Sequence, residues 1–301
     1  MLKKLLSSTK QLLANGHDQE RYLQLPEGNI YYKIFSAKAK GVPLIVIHGG
    51  PGTPHDYLLV LSELSNERPV IFYDQLGCGK SPCEADENLW QVGRFKAELA
   101  ALVRELAYPK VNILGHSWGS CIAAEYTLSH PEHVNKVILA SPCLSIPMWT
   151  KDAERLIASL SLEHKIILEQ GNKTGDYYSP EYQLALKEYY RRFIYNMDIT
   201  PEIFTEIQST FGISCYNYMW GNNEFTSTGT LKDYDVTAKL SEINSPCLFT
   251  CGRFDEATPE TCDFYAKLIN NGLMRVFENS AHFPHINEST QYIWDLAQFL
   301  K

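Results

Sequence analysis

Leu114-Gly115-His116-Ser117-Trp118-Gly119, preceded by the apolar run Val111-Asn112-Ile113, is the stretch whose reading decides the fold of this chain. It reads as a strand, a sharp turn and the start of a helix, with a serine at the apex between two glycines. This is the G-x-S-x-G nucleophile elbow, which lifts an activated serine above the end of a sheet. A serine on so tight a turn leaves no room for side chains two positions before or after it, where neighbouring strand and helix converge. Ser120, Ala123 and Ala124 follow, small residues that let the helix lie close to the sheet. The pattern predicts a hydrolase that works through Ser117.

A serine nucleophile needs a histidine base, and the histidine needs a carboxylate that fixes its tautomer and stabilises the imidazolium. Behind this elbow the chain order is Ser, then Asp or Glu, then His. The apolar run Pro246-Cys247-Leu248-Phe249-Thr250-Cys251-Gly252 leads into Arg253-Phe254-Asp255-Glu256, so Asp255 falls in the loop at a strand's C-terminal end. A second strand, Met274-Arg275-Val276-Phe277, leads into the loop that holds His282. The order Ser117, Asp255, His282 is the expected one. His285 begins the last helix rather than ending the strand, and reads as a surface or supporting residue. Upstream, Pro43-Leu44-Ile45-Val46-Ile47 ends in His48-Gly49-Gly50-Pro51-Gly52, a turn whose N–H groups can approach a substrate oxygen. Acyl transfer passes through an oxyanion, and each fixed donor there contributes ~3–4 kcal/mol of transition-state stabilisation. Gly50, with Gly49 as the alternative, and Trp118 are the expected donors. His48 and His116 stand outside the Ser…Asp…His order and read as braces for the loops.

Composition narrows the class. The chain has 301 residues, 45% of them hydrophobic, which is enough for a large core with an insertion. A formal charge of −8 supplies no basic surplus for phosphates and argues against nucleic acid. The eight cysteines are scattered without a C-x-x-C pair, a reduced-compartment pattern rather than a disulfide framework. With no H-E-x-x-H and no cluster of metal-ligand spacing, no metal is expected. Met1-Leu2-Lys3-Lys4-Leu5-Leu6 resembles the start of a signal peptide, but Ser7-Ser8-Thr9-Lys10-Gln11 interrupts the apolar run. Residues 2–14 read instead as an amphipathic leader helix, and residues 1–20 as a leader or arm. No run reaches the length of a membrane span, so a cytoplasmic protein is the expectation.

Apolar strands at 44–47, 70–73, 111–114, 137–140, 247–250 and 275–277 alternate with helical stretches such as 95–106 and 120–129. Such alternation predicts an α/β fold, a mostly parallel sheet covered on both faces. Residues 22–25 and 30–35 read as an antiparallel hairpin leading in. Between about 146 and 240 the alternation stops, and stretches rich in charge and tyrosine (150–170, 180–196, 201–210) read as helices. The expected organisation is an α/β-hydrolase core of residues 21–145 and 241–301. A helical cap, 146–240, would lie over the strand C-termini, where such sheets bind ligands.

His48-Gly49-Gly50-Pro51-Gly52, Asp74-Gln75-Leu76-Gly77-Cys78-Gly79-Lys80-Ser81, Gly115-His116-Ser117-Trp118-Gly119 and Gly252-Arg253-Phe254-Asp255-Glu256 together resemble the proline iminopeptidase family of α/β-hydrolases. The resemblance runs from Tyr22 to Lys301. Within it, Trp220-Gly221-Asn222-Asn223-Glu224-Phe225 is similar to the tricorn-interacting aminopeptidase branch. It implies removal of an N-terminal residue, often proline, from short peptides with a free N-terminus, without metal or cofactor. The chain departs from many members at Leu76, where they carry Arg, and at Leu-Gly-His before the serine. The resemblance also assigns the substrate's ammonium to Glu224 and Glu256. A desolvated cation needs anionic partners, and two carboxylates at one end of a pocket would also block longer N-terminal extensions. Tyr216, Tyr218, Trp220 and Phe225 are candidates for the walls of an apolar pocket. Two other readings share the motifs: an esterase or lactonase on the same core, indifferent to a blocked amine, and a non-catalytic ligand-binding protein.

Overall fold

The computed structural model describes residues 18–84, 86–196, 210–222 and 225–301. Most of the expected leader and of the expected 201–210 helix therefore lies outside the described residues. The strands are β1 (Gln19–Leu25), β2 (Gly28–Phe35), β3 (Leu44–Ile47), β4 (Val70–Tyr73), β5 (Val111–His116), β6 (Val134–Ala140), β7 (Cys247–Gly252) and β8 (Gly272–Phe277). Among the described residues they form one sheet in the order β1-β2-β4-β3-β5-β6-β7-β8. β1 and β2 are an antiparallel hairpin, and β2 pairs antiparallel with β4. From β4 to β8 every pairing is parallel. The α/β fold read from the alternation is the one observed.

The composition of the central strands explains their position. Leu44, Ile45, Val46 and Ile47 are all fully buried, as are Val70, Ile71, Phe72 and Tyr73. Continuous apolar runs of this kind suit a parallel sheet with helices on both faces. Successive side chains leave opposite faces, so Ile45 and Ile47 pack with Leu99, Ile122 and Tyr126, while Leu44 and Val46 pack with Leu61 and Leu296. The helices that supply these contacts are α1 (Val92–Leu106), α2 (Trp118–Ser129) and, at the chain's end, α9 (Ser289–Leu300), with the 3₁₀ segment His55–Asn66. All seven residues Trp118 to Ala124 of α2 are buried, so this helix has no polar stripe and sits at the centre of the molecule.

Between β6 and β7 lie α3 (Ile146–Ala158), α4 (Leu162–Thr174), α5 (Pro180–Tyr190) and α6 (Ile213–Met219). The stretch expected as one helix over 150–170 is two, because Ser161 caps a new helix by accepting the N–H of His164. Arg191–Tyr195 extend α5 as a π turn that ends at Asn196 in left-handed conformation. Ala153, Ile157, Leu168, Tyr182, Tyr189, Phe193 and Phe225 form a separate apolar cluster among these helices. After β7 come α7 (Pro259–Lys267) and, after β8, α8 (Pro284–Asn287). Ser117, Asp255 and His282 therefore follow the C-terminal ends of β5, β7 and β8.

Candidate active site

Ser117 sits between β5 and α2 at φ 53°, ψ −124°. That left-handed backbone costs a non-glycine residue of order 1–3 kcal/mol, which the surrounding structure must offset. Its N–H donates to Ala140 O on β6 at 2.9 Å. The two flanking glycines are steric necessities. A Cβ on Gly119 would overlap the carbonyl oxygens of Ile47 and His48, and one on Gly115 would overlap the backbone of Gly119.

His282 and Asp255 meet directly, with His282 Nδ1 2.7 Å from Asp255 Oδ1. Both are buried. Asp255 is anchored by three further donors: Ala257 N–H to Oδ1 at 2.8 Å, Ser141 Oγ to Oδ2 at 2.6 Å, and Gly252 N–H to Oδ2 at 3.2 Å. This arrangement puts the proton of the neutral imidazole on Nδ1 and leaves Nε2 as the basic atom. Glu256 Oε1 lies 3.9 Å from that Nε2, and Glu256 is itself buried. The other expected amine-site carboxylate, Glu224, lies outside the described residues.

Ser117, Trp118 and Gly50 line one pocket with Cys143, Ile146, Trp149, Tyr216 and Trp220. Of the aromatic residues expected as walls, Tyr216 and Trp220 are there. Tyr218 packs against Trp90 instead, 5.9 Å between rings, and Phe225 against Tyr189, 4.6 Å. Trp149 is a further wall, set edge-on to Trp220 at 6.0 Å and to the His282 ring at 5.9 Å.

The two candidates for the loop's oxyanion donor are distinguished by their partners. The N–H of Gly49 is spent on Tyr57 Oη at 2.8 Å, whereas Gly50 borders the pocket. Trp118 opens α2, so its N–H has no carbonyl one turn back to bond. The Tyr57 hydroxyl in turn lies 2.9 Å from His116 Nδ1, and His116 Nε2 lies 2.9 Å from the His282 carbonyl oxygen. Burial pushes His116 well below its ordinary pKa, so the ring is neutral with one proton to place. One assignment fits every partner: Gly49 N–H to Tyr57, Tyr57 O–H to Nδ1, and Nε2–H to the carbonyl of His282. His116 is thus a brace between the glycine loop and the histidine loop, and His48 braces on the other side. Its Nε2 accepts the N–H of Gln75 at 2.9 Å, and Gln75 Oε1 accepts the indole N–H of Trp118 at 2.9 Å. His285 is buried rather than at the surface, its ring 5.2 Å from that of His116.

His48, Asp74 and Cys78 bring donor atoms within 4.8 Å of one another, a spacing that could hold a metal ion. Each donor is already engaged. His48 Nε2 accepts from Gln75, Cys78 Sγ donates to Gln75 O, and Asp74 accepts from His55 Nδ1 and from the N–H of Lys80. The set is a structural knot under the Asp74-Gln75 turn.

The buried histidines link stability to pH. Burial holds His48 at about 4 and His285 at about 3, and His116 is also far below 6.5. The unfolded chain takes up these protons near pH 6.5 and the native state does not, so their contribution is present above 6.5 and is lost as pH falls. Each unit of depression is worth about 1.4 kcal/mol. Glu98, raised to about 8 by burial, pulls the opposite way, but is one group against three. The urea midpoint should therefore fall between pH 6.5 and pH 5. A midpoint that is flat or rises on acidification would show that these rings are solvated.

Comparison with known proteins places the chain in context. A family model described as α/β hydrolase fold matches residues 42–289. The proline iminopeptidase of Heyndrickxia coagulans is 42% identical over 93% of this chain and 98% of its own length. That of Saccharolobus solfataricus is 34% identical, covering 94% of this chain and 92% of its own. Among solved structures, a proline iminopeptidase of Mycobacterium smegmatis superposes with a TM-score of 0.87 at 30% identity, over 94% of this chain and 97% of that one. Among the described residues no helix is long and apolar enough to cross a membrane.

Sequence reasoning missed Ser141, Tyr57 and the π turn. Ser141 directly follows β6, and a polar residue at a strand's C-terminal end was its available signal. Nothing in the residues around Tyr57 marks it.

Proposed function

We propose, because this chain belongs to the proline iminopeptidase family of α/β-hydrolases, that it is a serine aminopeptidase which releases an N-terminal residue, preferentially proline, from short peptides in the cytoplasm. Ser117 Oγ attacks the carbonyl carbon of the N-terminal residue while His282 Nε2 takes its proton and Asp255 holds the imidazole. The N–H groups of Gly50 and Trp118 receive the oxyanion. Collapse of the tetrahedral intermediate breaks the peptide bond, and His282 passes its proton to the departing amine. Water then attacks the acyl-enzyme by the same route and frees the amino acid. In this reading residues 21–145 and 241–301 carry the chemistry. The cap of residues 146–240 supplies Trp149, Tyr216 and Trp220 as walls for a compact apolar ring.

The observation that carries the reading is the buried carboxylate of Glu256, 3.9 Å from His282 Nε2. A carboxylate at that place gives the pocket a negative end next to the reacting atoms, which favours a substrate with a cationic amine over a neutral ester. By family likeness Glu224 is the second carboxylate of this amine site. The test compares proline-, alanine- and leucine-β-naphthylamide with N-acetyl-prolyl-β-naphthylamide and a p-nitrophenyl ester. Rapid cleavage of the prolyl amide with none of its acetylated form is expected. Cleavage of the ester alone would support the esterase reading instead. Glu256→Gln should lower kcat/KM for free-amine substrates by ~30-fold or more, chiefly through KM, as loss of a desolvated charge partner does. An unchanged KM would remove Glu256 from the amine site.

A further inference from the structure

The end of α5 touches both loops that carry the acid and the base. A helix's last carbonyls have no donors within the helix. Here the π turn offers them outward: Phe193 O accepts the N–H of Glu256 at 3.2 Å, and Ile194 O accepts the N–H of His282 at 3.0 Å. Tyr195 O accepts Asn287 Nδ2 at 3.2 Å, while Asn287 Oδ1 accepts the N–H of Ala281 at 3.4 Å. Asn196, which ends the turn at φ 48°, donates its Nδ2 to Asn279 O at 2.7 Å. The Tyr195 ring stacks on Phe283 at 5.6 Å and 10°. Five consecutive residues of the histidine loop, 279 to 283, thus include four tied to one helix end.

We propose that this helix end is a positioning clamp for His282, and that Asn287 is the positioning residue that closes it. The inference rests on the serine-hydrolase reading above. The Asn287 side chain both donates to the cap and accepts from the residue before the base, and an amide matches both demands. An aspartate would present an acceptor to the Tyr195 carbonyl and repel it. The imidazole must reach the Ser117 hydroxyl, then the leaving nitrogen, from one backbone position. A displacement near 1 Å at such a group costs up to about 100-fold in rate. The clamp also joins Glu256 to the same turn, so amine site and base are set by one piece of the cap.

The test uses the full-length chain carrying Asn287→Asp or Asn196→Gly. Glycine keeps the left-handed turn and removes only the side-chain tie. Three quantities are measured: kcat and KM on proline-β-naphthylamide, the rate of labelling by a fluorophosphonate, and the urea midpoint. Labelling needs the activated serine but no substrate amine. For Asn287→Asp the expected result is a fall of about 10–100-fold in kcat with a matching fall in labelling rate, and KM within about 3-fold. Asn196→Gly should show the same pattern at smaller size, and decides the matter should Asn287→Asp fail to fold. Folded variants that label and turn over at the wild-type rate, whatever their urea midpoint, would overturn the clamp. Failure of the wild-type chain itself to label would instead overturn the serine-hydrolase reading.

Discussion

Ser117→Ala should lower kcat for proline-β-naphthylamide by at least ~10⁴-fold and abolish fluorophosphonate labelling, with near-ultraviolet circular dichroism unchanged. The size of the effect follows from the role: without Oγ there is no acyl-enzyme, and only the oxyanion donors and bound water remain to assist hydrolysis. The fold should persist because the change removes one oxygen. Alanine at φ 53° meets the same backbone cost as serine, and the N–H bond to Ala140 O belongs to the main chain. Substrate binding should also persist, since Glu256 and the walls of the pocket are untouched. Equilibrium binding of an uncleaved substrate checks this. Turnover within tenfold of wild type would remove Ser117 from the mechanism.

The second large effect is expected at the acid. Four donors converge on the Asp255 carboxylate, two on each oxygen: His282 Nδ1 and Ala257 N–H on Oδ1, Ser141 Oγ and Gly252 N–H on Oδ2. Asparagine keeps one acceptor and turns the other into a donor. If its amide faces His282, the imidazole must carry its proton on Nε2, and the atom that should receive the serine proton is already protonated. If it faces Ser141 and Gly252, the donor Gly252 N–H is left opposed while the negative charge that stabilises the imidazolium is gone. Either way Asp255→Asn should reduce kcat by ~10³–10⁴-fold, with KM little changed. Steady-state kinetics on the purified variant, corrected for the folded fraction from a urea titration, measure it. A loss below tenfold would mean that another group orients His282.

How much of this was legible without coordinates depends on whether a signal is local. The elbow was, because Gly115 and Gly119 are demanded by contacts that no other residue could survive. The order of Ser117, Asp255 and His282 was legible because each follows a strand that its own residues mark, a continuous buried run in β5 and β7 and an alternating run in the edge strand β8. The choice between Gly49 and Gly50 was not, because it hangs on Tyr57, which reaches Gly49 only after the 3₁₀ segment folds back over the loop. Ser141 was hidden likewise, since its partner Asp255 lies 114 positions away. The break in the expected 150–170 helix rested on one capping serine within a stretch of otherwise helical composition. Tyr218 and Phe225 fell to the usual ambiguity of aromatic residues, which serve a core as readily as a pocket.

The helices α3 to α6 enter the chain between β6 and β7, and the segment is closed at its base, where Ile146 N–H donates to Tyr234 O at 2.9 Å and Val236 N–H to Leu144 O at 3.0 Å. Departure and return of the helices are therefore side by side, and the sheet does not depend on what is threaded through the gap. Evolution can trade such an insert as a cassette, giving one catalytic chassis many appetites. The carbonyls of Phe193 and Ile194 put a condition on that trade. A donor cassette that brings new pocket walls must also end its helix against the N–H groups of Glu256 and His282. Chimeras that swap the insert while respecting this joint should inherit a new preference with their turnover intact, and those that ignore it should bind and stall.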